Sequence, residues 1–236
     1  RTLTYNDEPF RLYKEAIILW EKGEQLQSIA LQKAAVTAFD KQHRIYGPNS
    51  LFPSIRLHYN ELNLHDERLA YYTEKLAYYQ KYGPVENTAD CYHAFGGYYL
   101  FKADYNLAIG NYLKAASIFK TYNADSYANA HCVVGWTYYR WGNYDRSKYY
   151  LESGLALSQK TGNYSNVQLC YMFLGLIARQ NKQYSESMRL IDTTLTFIEM
   201  PRDIDVYTLL LAEKGGLLLF ENKPEEALPI LNKAIE

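Results

Sequence analysis

The stretch GWTYYRWGNY, Gly135–Tyr144, sets Trp136, Tyr138, Tyr139, Trp141 and Tyr144 around a single charge, Arg140. Such a cluster suits either a ligand box or the inside of a helical fold, and its register with the rest of the chain separates the two. Counting from Gly135, Tyr138 follows after three residues, Ser147 after twelve and Leu151 after sixteen. The same frame returns at Gly96, Tyr99, Ala108 and Tyr112, at Gly175, Ala178, Ser187 and Ile191, and at Gly215, Leu218, Ala227 and Leu231. Two weaker copies precede these, Ala16/Leu19/Ser28 and His58/Glu61/Ala70. The small anchors thus fall at 28, 70, 108, 147, 187 and 227, at spacings of 42, 38, 39, 40 and 40 residues. A fixed period of about 40 residues is the mark of a repeat architecture.

Each unit reads as two helices. In the fourth, ANAHCVVGWTYYRW is one and YDRSKYYLESGLALSQK the next, joined at Gly142-Asn143. Small residues at Gly135 and Ser147 let two backbones approach, as antiparallel helices joined by a short turn must. Polar turns stand at matching places before Tyr105, Tyr144, Tyr184 and Pro224, and polar breaks such as KYGPVENTAD and KTGNYSN separate the units. Pro224 fits a helix's first turn, where its missing N–H costs nothing. No strand-like alternation persists. The expected fold is all-α, about six antiparallel helix pairs spanning residues 9–48, 49–86, 87–125, 126–165, 166–205 and 206–236 of one domain.

The frame resembles the tetratricopeptide repeat, W-x2-L-G-x2-Y followed by A-x3-F. The fourth unit carries it through Val134-Gly135, Tyr138, Gly142, Tyr144, Ser147 and Leu151, and the third through Phe95-Gly96, Tyr99, Tyr105, Ala108, Tyr112 and Ala115. The resemblance covers the whole chain, strongly in the last four units. The usual repeat is about 34 residues, so these units are longer, and the proline that commonly closes the second helix is absent. Long repeats of this kind are similar to the sensor solenoids of bacterial regulators, including peptide-pheromone receptors and large ATP-dependent activators. The resemblance implies a right-handed superhelical solenoid whose first helices line a concave groove.

In that frame Tyr138 and Tyr144 occupy packing positions and are expected in the core. Trp136 and Tyr139 lie one residue further on, turned about 100° towards the groove. Arg140 is expected at the groove's edge, and Trp141 at the helix end against its neighbour. The same offset in the other units gives the candidate binding residues: Tyr13 and Trp20, Tyr59, His93, Asn129 with Trp136, Tyr139 and Arg140, then Met172 and Arg179. The tyrosine pairs 71/72 and 78/79 share one helical face and read as core, as do Tyr149 and Tyr150.

Several classes are disfavoured by composition and motif. A net charge of -1 leaves no basic footprint for nucleic acid. No apolar run is long enough to span a bilayer. The chain carries no P-loop, G-x-S-x-G, H-E-x-x-H or dinucleotide fingerprint, so neither an enzyme active site nor a cofactor is expected. The histidines lack co-ligands at short range, and no metal site is expected. Cys91, Cys132 and Cys170 follow the repeat period and read as one buried thiol in each of three units, which favours a reducing compartment such as the cytoplasm. A signal peptide ahead of Arg1 would instead indicate the periplasm. The chain starts with Arg and stops within the second helix of its sixth unit, which predicts a segment of a longer polypeptide with apolar ends able to self-associate. The expected function is a non-catalytic scaffold binding a protein or peptide segment, as the sensory or interaction domain of a larger bacterial signalling or transcription-regulating protein. The alternatives are a small-molecule sensor or a structural spacer.

Overall fold

A computed structural model describes residues 7–42, 46–200 and 202–235, with backbone alone for 46–50. Among these residues there are twelve α-helices and no strand. They form two compact units, residues 1–122 and 123–236, each built from three antiparallel helix pairs. In the first, α1 (Glu8–Glu21) pairs with α2 (Gln25–Lys41), α3 (Tyr46–Glu61) with α4 (His65–Tyr82), and α5 (Thr88–Phe101) with α6 (Tyr105–Tyr122). In the second, α7 (Ala124–Trp141) pairs with α8 (Tyr144–Thr161), α9 (Tyr164–Gln180) with α10 (Tyr184–Leu195), and α11 (Ile204–Phe220) with α12 (Pro224–Lys233).

Every pair turns the same way. The first helix ends in a residue of positive φ, at Gly23, Asn63, Ala103, Gly142, Lys182 and Asn222. The next N–H then bonds back five residues, as in Glu24 to Leu19, Leu64 to Tyr59, Asp104 to Tyr99, Asn143 to Tyr138, Gln183 to Ala178 and Lys223 to Leu218. This left-handed cap satisfies carbonyls that the helix end would otherwise orphan. In the second unit three asparagines start helices: the side chains of Asn123, Asn143 and Asn163 accept from the backbone N–H of Ser126, Arg146 and Asn166. Each such cap stabilises its helix by about 1 kcal/mol.

The small anchors act as the sequence frame requires. The hydroxyls of Ser28, Ser147 and Ser187 donate to the carbonyls of Ala16, Gly135 and Gly175 at 2.6, 2.7 and 2.8 Å, tying the two helices of a pair at their closest approach. A Cβ on Gly135 would meet the Leu151 side chain at 2.7 Å, and one on Gly96 would meet the Tyr112 ring at 2.5 Å. Glycine is therefore required there by the partner helix.

The α3–α4 pair departs from the expected register. The back-bonded turn places Tyr59, not Glu61, at the packing position, and the twelve-residue partners become Arg56 and Arg68 in place of His58 and Ala70. Ala70 is exposed and Arg68 is buried. With Arg68 as anchor the first spacings are 40 and 40 residues, matching the later units. Two arginines stand where the other pairs carry small residues, and among the described residues α3 meets α4 over a sparser contact than the other pairs make.

The first core gathers Phe39, Phe52, Ile55, Tyr71, Tyr72 and Tyr79. Tyr72 donates to the Phe52 carbonyl, and Tyr79 and Lys75 both reach the Asp40 carboxylate at 2.7 and 2.9 Å, whereas the buried Tyr71 hydroxyl has no hydrogen-bond partner among the described residues. Tyr78 is half-buried and Tyr149 is 67% exposed, so the first member of each of these tyrosine pairs leaves the expected core, and Tyr150 is half-buried. Tyr138 and Tyr144 are half-buried as well, Tyr138 stacking on Tyr150 and on the exposed Trp141. The second core packs Leu151, Leu174, Leu176, Ile177 and Leu190 around Cys132 and Cys170. All three cysteines are buried and free, but Cys132 and Cys170 sit Sγ to Sγ at 3.2 Å, a contact between α7 and α9 that residue spacing did not reveal.

Candidate functional site

In the second unit, residues 129, 132, 136 and 139 of α7 recur at three- and four-residue steps and form one stripe of that helix. Stripes in the same register run along α9 (169, 172, 176, 179) and α11 (209, 212, 216, 219). Cys132 and Leu176 sink into the core, whereas Asn129, Trp136, Tyr139, Met172 and Arg179 stay half-buried. On α11 the stripe ends in the exposed Leu209 and Leu219.

These side chains form one connected surface. Trp136 and Tyr139 both pack against Phe173, at 6.1 and 5.1 Å between ring centroids. Met172 touches the packed residues on either side of α9. Arg179 Nη1 lies 2.6 Å from Glu213 Oε2 on α11, forming an ion pair. Tyr139 belongs to the same group: burial raises its hydroxyl pKa, Tyr144 and Glu213 add to the rise, and Arg179 opposes it. At the other end Asn129 Nδ2 donates to Asn166 Oδ1 at 2.9 Å, and among the described residues the buried Nδ2 of Asn166 has no partner. The surface therefore offers aromatic faces, a thioether, side-chain amides and one ion pair. That inventory suits a polypeptide, whose side chains are apolar in part and whose backbone needs donors and acceptors. Arg140 is exposed and lies off this stripe, at the last turn of α7.

The first unit behaves differently. Tyr13 and Trp20 are half-buried and pack on the core, with Trp20 stacked on His58 at 3.5 Å. His58 Nδ1 meets Gln32 Nε2 at 2.8 Å, and burial lowers the histidine's pKa. Tyr59 is only 4% exposed and belongs to the core, because the true register of α3 makes it the packing tyrosine. His93 is in register yet only 6% exposed: it meets Arg56 at 2.8 Å and sets its edge against Tyr112. The candidates of this unit are thus packing residues before they are surface residues.

Sequence reasoning missed Phe173 and Asn166, buried beneath the second unit's surface, and Glu213 beside it, and it missed Arg56 and Arg68. The turn residues Gly23, Asn63 and Ala103, 40 apart, carry the signal that would have placed both arginines. A separate cleft of about 240 Å³ lies among α8, α9 and α10, rimmed by Lys148, Glu152, Glu186 and Arg189, and includes none of the predicted residues. Among the described residues no group of three His, Cys, Asp or Glu side chains could hold a metal ion. No described helix is long and apolar enough to cross a membrane.

No protein-family model and no curated protein matches the sequence. Solved structures do match. A signal transduction ATPase with numerous domains and a tetratricopeptide repeat sensor, from Pyrococcus horikoshii, superposes with a TM-score of 0.73 at 20% identity. The match covers 94% of this chain and 34% of that one, so the chain spans about a third of that ATPase. A Rap protein complexed with competence and sporulation factor gives a TM-score of 0.66 at 14% identity, over 99% of this chain and 76% of that one. A tetratricopeptide repeat protein from Parabacteroides merdae gives 0.56 at 17%, over 97% and 79%. The fold is a tetratricopeptide-like helical repeat.

Proposed function

We propose that the chain is a protein- or peptide-binding scaffold, the sensory or interaction domain of a larger bacterial signalling or transcription-regulating protein. The observation that carries this reading is the half-buried surface of α7, α9 and α11, where Trp136, Tyr139 and Met172 lie between an asparagine pair and the Arg179–Glu213 ion pair. Aromatic, methionine and arginine side chains are the types enriched at protein interfaces. Exposed Leu209 and Leu219 extend the apolar part, as interaction surfaces do. The fold adds support, since a Rap protein of the same architecture is complexed with competence and sporulation factor, and a Rap conjugation regulator is in complex with the Phr* peptide. An extended segment laid along α7 would place side chains on Trp136 and Tyr139 and a backbone amide at Asn129.

The test is selection of peptides from a random display library on the full chain, followed by affinity measurement on Trp136→Ala/Tyr139→Ala. Loss of two interface aromatics should weaken binding at least about tenfold, corresponding to ~1.4 kcal/mol or more. Unchanged affinity in a folded double variant would remove this surface from the proposal.

A further inference from the structure

Arg68 lies on α4 with 2% of its surface exposed, in the position that every other second helix gives to Ser or Ala. Its Nη1 donates to Asn60 Oδ1 on α3. Its Nε and Nη2 are buried and, among the described residues, have no hydrogen-bond partner. Arg56, its counterpart on α3, donates to His93 Nδ1 at 2.8 Å. Burial disfavours the charge of Arg68, Tyr112 and Tyr72 oppose that effect, and the nearby charge of Arg56 adds to it. A guanidinium taken out of water needs an anion or a full set of acceptors. The nearby carboxylate, Asp90, is a weak counter-ion: burial raises its pKa to about 7, with Arg56 opposing.

The place for an anion is beside Gly97. A Cβ built there would stand 3.7 and 3.8 Å from the Arg68 Nη1 and Nη2 atoms and 3.5 Å from the Tyr112 hydroxyl. Glycine thus leaves about a methyl group of space over the arginine's donor edge, and Gly97 itself is half-buried, not sealed. We propose that Arg68 and Arg56 form a binding site for an oxyanion, a carboxylate or a phosphate group, which enters past Gly97 and takes up the unpaired Nη2 of Arg68. A guanidinium presents its N–H groups as a fork that matches two oxygens of such a group. Tyr112 supplies a further O–H, kept protonated because burial raises its pKa to about 12. The proposal does not depend on the α7–α9–α11 surface and goes beyond it.

Titration of the full chain with acetate and with inorganic phosphate, at constant ionic strength set by chloride, tests the site by calorimetry and by thermal melting. The expected result is single-site saturation with a concentration-dependent rise in Tm. Saturation by phosphate alone identifies a phosphate site, and saturation by acetate a carboxylate site. Gly97→Ala, whose new methyl makes only ordinary contacts and raises helix propensity, should weaken binding at least about tenfold by filling the approach. Arg68→Gln should do the same, and if that variant fails to fold, Gly97→Ala decides alone. No saturation by either anion, or equal affinity in Gly97→Ala, overturns the proposal.

Discussion

Replacing Gly135 by alanine sets two effects of opposite sign against each other. Alanine in a helix interior is favoured over glycine by about 1 kcal/mol. The added methyl, however, would lie 2.7 Å from Leu151 Cγ and 2.9 Å from the Leu151 backbone nitrogen. The side chain can rotate, but the backbone nitrogen moves only with α8. Separating α7 from α8 also stretches the 2.7 Å bond from Ser147 Oγ to the Gly135 carbonyl and loosens Leu151, which is fully buried. Overpacking costs about 1–3 kcal/mol, and loss of the hydrogen bond about 1 kcal/mol. The net expectation is ~2 kcal/mol of destabilisation, a fall in Tm of roughly 4–8 °C for a domain of this size. Gly110→Ala is the control, because nothing lies within 4 Å of its added Cβ, and it should gain about 0.5–1 kcal/mol. Thermal and urea melts followed by circular dichroism measure both. If Gly135→Ala were as stable as Gly110→Ala, close helix approach would not be what holds the repeat together.

Other positions give further expectations. Ala103 and Lys182 hold positive φ of 59° without being glycine. The left-handed conformation costs such residues about 1–2 kcal/mol, less about 0.4–1 kcal/mol for glycine's freer unfolded chain. Ala103→Gly and Lys182→Gly should each stabilise by about 0.5–1 kcal/mol in urea melts, and unchanged midpoints would count against strain at these turns. Asn123→Ala, Asn143→Ala and Asn163→Ala should each cost about 1 kcal/mol by loss of the cap, read from the same melts. Asp90 titrates from about 7 when folded against 3.8 when free, so its protonated form stabilises the fold fully below 3.8 and that contribution is lost as pH rises through 7. Asp90→Asn should therefore flatten the fall in Tm between about pH 4 and pH 7, with a ceiling of ~4 kcal/mol above that window; an unaltered slope would assign the pH dependence to other groups.

The repeat was legible wherever helix packing demands a small residue, because steric exclusion leaves a direct trace in the sequence. Gly96, Gly135 and Gly215 each face a side chain within 2.7 Å of where a Cβ would be, and the frame through them was found. The same logic failed in α3 and α4, where Arg56 and Arg68 occupy the anchor sites. A search for small residues slid two positions, to His58 and Ala70, and carried Tyr59 from the core to the supposed groove. His93 was in register, but its ring packs inside the repeat against Tyr112 and Phe119 while its Nδ1 meets Arg56 of the preceding one. The aromatic stripe of α7 keeps its expected register because its helix was framed correctly. Its supporting residues Phe173, Asn166 and Glu213 lie on later helices, and their contacts come from tertiary packing, not from periodicity.

The central claim is that the surface of α7, α9 and α11 takes a polypeptide. The most direct measurement is the affinity of a library-selected peptide for the wild-type chain beside Trp136→Ala/Tyr139→Ala, with circular dichroism melts run on both. The account predicts saturable binding that weakens at least about tenfold in the double variant while the melts stay close. A selected peptide that binds both proteins equally well would contradict it.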